Sequence, residues 1–171
     1  MREWIPVSTS AKGRLALAAV RTFGSRPFDE VTVGELAAAA GVTTGSLYHH
    51  FESKLGLYEF VRTDVERRLL DRMEGASSAI GQRPEAVTEV LLVGFEFAVS
   101  QDFSRLLGEP PSGSTDTLVT LIATLTAPAP EPLGRVLAAA WRAAVLAVAE
   151  GVPIDVARAA LAAVQVRWAG G

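Results

Sequence analysis

The chain has 171 residues, 49% of them hydrophobic, with a formal net charge of −3 at pH 7 and no cysteine. That hydrophobic share suffices for a buried core in one large or two small domains. The acidic balance leaves no global basic signature, so any nucleic-acid contact must come from a local patch, and the missing cysteines exclude disulfides and thiolate metal sites.

Taken in chain order, nearly every segment reads helical. Polar Ser8 to Ser10 precede a first helix whose inner positions, Leu15, Ala18, Ala19, Thr22 and Phe23, recur at threes and fours. Arg2, in an N-terminal arm ahead of it, either reaches a minor groove or has no role. Gly24 and Pro27 stop the helix, and Phe28 and Val31 fold back onto the core. Thr32 and Glu35 form the T-x-x-E capping box of a second helix, whose buried face is Val33, Leu36, Ala37 and Ala40. Gly41 supplies a left-handed turn residue, and Val42 plugs the turn into the core. The third helix runs from Thr43 or Thr44 to His50, with Leu47 and Phe51 on its inner face. Ser53 caps a fourth through about Glu74, with Leu57, Phe60, Val61, Val65, Leu69 and Met73 as its stripe.

Gly75 to Pro84, rich in Gly, Ser and Gln, reads as a break. Pro84 opens a helix to about Ser100, and a short helix covers Asp102 to Leu107. Gly108 to Ser114 is a loop, and Thr115 to Leu125 is another helix. Pro128, Pro130 and Pro132 interrupt the chain. Two helices close it, Leu133 to Glu150 and Ile154 to Trp168, separated by Gly151 and Pro153. The expected architecture is all-α with about nine helices. It comprises an N-terminal three-helix helix-turn-helix DNA-binding domain over residues 1–55 and a C-terminal helical ligand-binding and dimerisation domain over residues 56–171.

The stretch from Thr32 to Leu57 carries the function class. Gly41 gives the turn, the alanines from Ala37 to Ala40 allow one helix to cross another, and the third helix has an apolar inner and a short polar outer face. That outer face, Thr43, Thr44, Ser46, Tyr48 and His49, holds hydroxyls, an aromatic and an imidazole but no acid, a mix suited to the floor of a DNA groove. Side chains at the start of such a helix meet base edges and its amides meet phosphate. Gly45 lets a phosphate or sugar approach the backbone, and Lys54 is placed to hold a phosphate as a point charge. Tyr48 is read as a DNA contact rather than core, because Leu47 and Phe51 already fill the inner face. His49 and His50, being adjacent, do not share a helix face, so no metal is expected. Lys12 and Arg14 stand as phosphate contacts or solvated charges alike; Arg21 and Arg26 read as solvated charges.

Catalysis is not supported. A nucleophilic Ser or Thr needs a base beside it, and both histidines lie on the presumed DNA face. Nothing positions Glu96 and Glu150 as a carboxylate pair, and no phosphate-binding Gly loop appears. The expectation is a protein that is not an enzyme and has no cofactor. No apolar run of signal-peptide length follows Arg2 and Glu3. The longest apolar tract, Val136 to Val148, contains Arg142 and falls short of the roughly 20 residues of a membrane span. A cytoplasmic protein without a membrane partner is expected.

In the second half, Phe95, Val99, Phe103, Leu118, Trp141 and Arg142 are the candidate ligand-binding residues. Taken one by one, the apolar ones at helical spacing are more often plain core than pocket lining, and Arg142 reads as a pocket anchor for an acidic group or an interface ion pair. The apolar character of this half points to an apolar or amphipathic small molecule. The last two helices are dense in alanine and apolar on several faces, so they need more partners than one small domain supplies. They read as half of a four-helix bundle completed by a second subunit, with a tightly packed intramolecular pair as the alternative.

The pattern G-V-T-x-G-x-L-Y-x-H-F-x-x-K-x-x-L stands here as Gly41, Val42, Thr43, Gly45, Leu47, Tyr48, His50, Phe51, Lys54 and Leu57. With Leu15, Ala18, Ala19, Phe23, Thr32, Val33, Leu36 and Ala37 upstream, it resembles the TetR family of bacterial transcriptional regulators over about residues 10 to 60. The resemblance implies a homodimer on a palindromic double-stranded DNA operator, acting as a repressor and released when a small-molecule effector enters the C-terminal domain. It also implies that Thr44, Ser46 and His49 face bases or sugars, and that Thr32, Thr43, Tyr48, His50 and Lys54 face the DNA backbone. Gly34 and Pro27 depart from the family's usual residues. Gly34 and the acidic balance support the alternative, a helical sensor or dimerisation module without sequence-specific DNA binding.

Overall fold

Ser10 starts the first helix by accepting the backbone N–H of Gly13 at 3.0 Å, a side-chain cap for one of the amides that a helix start leaves unpaired. The structure, a computed structural model, describes residues 9–80, 84–111, 115–130 and 132–164; Arg2 and Trp168 lie outside them. Two compact units divide the chain, Met1–Val65 and Glu66–Gly171. The described residues form nine α-helices and one 3-10 turn, with no strand among them.

In the first unit, α1 (Ala11–Ser25) leads through the 3-10 turn Phe28–Glu30 to α2 (Val33–Ala40) and α3 (Thr44–Phe51). Its core gathers Leu15, Ala19, Phe23, Val31, Leu36, Leu47, Leu57 and Val61, all buried. Phe23, Phe28 and Tyr58 form an aromatic triangle with centroids 5.1–5.8 Å apart, a geometry that adds about 0.5–1.5 kcal/mol per pair beyond burial. The capping box forms as the spacing predicts: Thr32 N donates to Glu35 Oε2 at 2.8 Å, and Glu35 N donates to Thr32 Oγ1 at 3.2 Å. Gly41 adopts φ 63° and ψ 40°. Gly41 N reaches Ala38 O and Val42 N reaches Ala37 O, both at 3.0 Å, the double bond of a Schellman turn.

The fourth helix, α4 (Lys54–Ile80), passes through the division between the units. It does not stop near Glu74: Gly75 to Ile80 remain helical, and Ser78 Oγ bonds back to Glu74 O at 2.9 Å. Ser is compatible with a helix when its hydroxyl turns onto the preceding turn's carbonyl, and Ala is a strong helix former. Phe60 is half-buried rather than sealed, unlike the rest of the expected stripe.

In the second unit, α5 (Pro84–Ser100), α6 (Ser104–Gly108), α7 (Thr117–Leu125), α8 (Pro132–Ala149) and α9 (Ile154–Ala162) follow. Packing centres on α8, which contacts α5, α6, α7 and α9. By length and composition α8 could also cross a membrane. Its close approach to α7 depends on Gly134, where a Cβ would lie 3.0 Å from that of Ala123. The last part of the expected helix, up to Trp168, lies outside the described residues. The described helix closes at Ala162, and Thr88 Oγ1 of α5 donates to Val164 O at 3.3 Å.

Two predictions follow from the first unit. A methyl group on Gly56 would run into the Phe51 carbonyl, so Gly56→Ala should lower stability by about 1–3 kcal/mol; an unchanged thermal midpoint would refute the close approach. The second concerns Glu35, whose carboxyl sits at about 2 instead of 4.5, held down first by the Arg26 hydrogen bond and then by those of Thr32. Because the folded value is the lower one, this group adds stability above pH 4.5 that drains away as pH falls toward 2. The stability gap between wild type and Glu35→Gln should therefore narrow on acid titration by circular dichroism. A gap of constant size would rule this out.

Candidate nucleic-acid interface

The face of α3 is set by what lies behind it. Leu47 and Phe51 are buried, one helical turn apart, so the residues between and beside them point away. Thr44, Gly45, Tyr48 and His49 are exposed, with Tyr48 at 53% of its full surface; Ser46 and His50 are half-buried. Thr43 is the N-cap, its Oγ1 accepting Ser46 N at 3.3 Å. The amides of the first turn thus open at the same end as the short polar side chains. The His49 and His50 rings lie 4.9 Å apart, edge to face. Thr32 is also exposed, although its hydroxyl donates to Glu35 Oε2 at 2.8 Å.

Lys54 has a task that its sequence position does not reveal. Its Nζ donates to Phe28 O and Val31 O, each at 2.9 Å, and sits 4.1 Å from the Phe28 ring centroid. Two of its three donors therefore tie the segment after α1 to the start of α4. Arg14 works in the same way at the far end of α2: Nε donates to Ala40 O at 3.0 Å and Nη1 to Thr9 O at 2.6 Å. A cation at a helix C-terminus meets unpaired carbonyls and the negative end of the dipole. Arg26, expected as a plain solvated charge, instead pairs with Glu35 at 2.8 Å and donates to Glu30 O at 2.5 Å. Its guanidinium pKa is raised, chiefly by the hydrogen bond to Glu35. Lys12 Nζ lies 5.1 Å from the Phe60 ring centroid and 5.7 Å from that of Phe51. Arg14 and Arg26 thus hold the two ends of α2, and Lys54 and Lys12 tie in the elements around it.

Of the residues expected to meet a ligand, Phe95, Phe103, Leu118 and Trp141 are buried in the packed core of the second unit, and Val99 is half-buried. Trp141 donates its indole N–H to Leu91 O at 3.0 Å. Arg142 differs from them: it lines a groove on the second unit and binds Asp116 through two bonds of 2.7 and 2.8 Å. Asp116 is also the N-cap of α7, accepting Val119 N at 3.2 Å. Asp116 and Gly56 escaped sequence reasoning. An N-cap preference three residues before Val119 was the available signal for the first; the approach of Phe51 to Gly56 left no signal in the sequence.

The family model described as bacterial regulatory proteins, tetR family, matches residues 16–61, from α1 into the start of α4. The chain is 32% identical over 110 residues to the HTH-type transcriptional repressor KstR2 of Mycolicibacterium smegmatis, covering 60% of this chain and 54% of that protein. To the HTH-type transcriptional regulator AcrR of Shigella flexneri it is 30% identical over 92 residues, covering 53% and 43%. The chain thus spans about half the length of the curated relatives it matches. A TetR-like transcriptional regulator from Rhodococcus sp. RHA1 shares the fold with a TM-score of 0.69, at 22% identity over 92% of this chain and 94% of that one. A TetR-family regulator from Pectobacterium atrosepticum gives 0.67 at 23% identity, over 87% and 86%. Helix order, the turn at Gly41, the residues of α3 and these likenesses agree over the first unit: residues 16–61 match the tetR family of bacterial regulatory proteins.

Proposed function

We propose that this protein is a ligand-responsive transcriptional repressor of the cytoplasm that binds a palindromic operator as a homodimer. The observation that carries the reading is the division of α3 into a sealed side, Leu47 and Phe51, and an open polar side without an acid. Thr44, Ser46 and His49 face base edges or sugars. Thr32, Thr43, Gly45, Tyr48 and His50 face the phosphate backbone, and Lys54 adds its remaining donor there. A sensor or dimerisation module without DNA recognition is not favoured, since the curated relatives are named as transcriptional repressors and regulators.

Dimerisation uses the outward faces of α8 and α9. Val136, Ile154 and Val156 are exposed at 59%, 52% and 53%, and Ala143, Ala159, Ala160 and Ala163 are exposed beside them in the chain. Small side chains allow the close helix approach of a four-helix bundle. Two α3 helices would then lie about 34–36 Å apart, one turn of B-form DNA. A small apolar or amphipathic effector binding the second unit releases the operator.

Two measurements check this. Operator DNA selected from a random library should bind Tyr48→Ala at least about tenfold more weakly than wild type, a difference of about 1.4 kcal/mol, with an unchanged thermal midpoint because the ring is largely exposed. Equal affinities would remove α3 from the interface. Val156→Glu should convert the dimer to a monomer in light scattering; a dimer that persists would displace the interface from α9.

A further inference from the structure

The second unit carries an open groove of about 830 Å³ between α7 and α8, within the size of small-molecule sites. Val119 and Ala123 of α7 and Ala139 of α8 give it apolar lining, and Asp116 and Arg142 are also in its wall. The Arg142 side chain is only 10% exposed, and its guanidinium grips the Asp116 carboxylate with two parallel bonds. Its Nε is buried without a hydrogen-bond partner among the described residues, while Nη1 and Nη2 form the fork that meets the carboxylate. A planar guanidinium fork of this kind is a strong receptor for a carboxylate.

We propose that this groove binds a small amphipathic carboxylate, its head group exchanging with Asp116 on Arg142 and its tail lying along Val119, Ala123 and Ala139. The inference deepens the effector part of the proposed function and rests on that reading for its regulatory meaning. The fork geometry is prebuilt: an internal carboxylate occupies the position that a ligand carboxylate would take. Asp116 Oδ1 accepts both Val119 N and Arg142 Nη2, so exchange loosens the α7 cap as it frees the guanidinium. An intramolecular competitor makes the site selective, because a neutral or cationic head group gains nothing by replacing an anion on a guanidinium.

Octanoate, octanol and octylamine, titrated by calorimetry into the full chain, test the proposal. Octanoate should bind at least about tenfold tighter than the other two. Ala139→Leu fills the groove from an exposed position and should weaken octanoate about tenfold or more. Asp116→Asn keeps a capping oxygen but removes the competing charge, so it should tighten octanoate several-fold, a gain that a purely structural pair would not give. No octanoate binding, equal affinity for octanol, or indifference to Ala139→Leu would overturn the site. Operator retention, measured on the same preparation without octanoate, separates the two readings. Lost retention with intact octanoate binding sinks the regulator and not the groove; retention without octanoate binding sinks the groove alone.

Discussion

An eight-residue helix is too short to persist in water by its own hydrogen bonds, so α3 depends on the burial of Leu47 and Phe51. That constraint dictates much of the first unit. The inner side chains need a floor, which α1 and α2 supply through Leu15, Ala19, Leu36 and Ala40. The floor requires α2 to turn sharply into α3, hence the left-handed Gly41 and its paired bonds to Ala37 and Ala38. At the other end, α4 begins so close to α3 that Gly56 has no space for a side chain beside Phe51. The polar face of α3 is therefore a by-product of how tightly its apolar face is gripped.

Charge in this unit serves geometry before it serves any partner. Arg14 closes the C-terminus of α2, Arg26 holds its capping box through Glu35, and Lys54 spans the carbonyls of Phe28 and Val31. Cations engaged in this way release fewer counterions on meeting phosphate, so the proposed DNA affinity rests more on fit and backbone amides than on neutralisation. This suits a chain of net charge −3. Holding both ends of α2 also fixes the direction of α3, since the two share only a short turn.

Local chemistry in the sequence announced the first unit. The capping box at Thr32, the glycine turn and the period of Leu47 and Phe51 are each written within a few residues and each has one stable outcome. The resemblance over about residues 10 to 60 added what local rules do not: which exposed residues are expected to face DNA. The second unit was less legible because its contacts are long-range. Phe95 and Trp141 carry the same apolar signal whether they line a cavity or fill a core, and in the structure both are buried. The partner of Arg142 lies 26 residues away, and no local pattern encodes such a pair. Glycine and serine after Glu74 suggested a break, yet the backbone stayed helical because neither residue forbids it.

Asp116 shows why a half-buried ion pair can persist where an apolar contact would serve stability as well. Its pKa is lowered although burial, the largest single influence, pushes the other way; the bonds from Arg142 and the Val119 amide outweigh that cost together. One carboxylate thus serves a helix start and a cation on the neighbouring helix. Replacing the pair by leucines would remove both the cap and a strong polar tie between α7 and α8. The outward faces of α8 and α9 are built on the opposite principle, with exposed valine, isoleucine and alanine that water does not favour. A chain that engages its charges internally and leaves apolar helix faces outside has its stickiest surface where a second copy is proposed to dock. Its polar ridge on α3 stays open for a different partner.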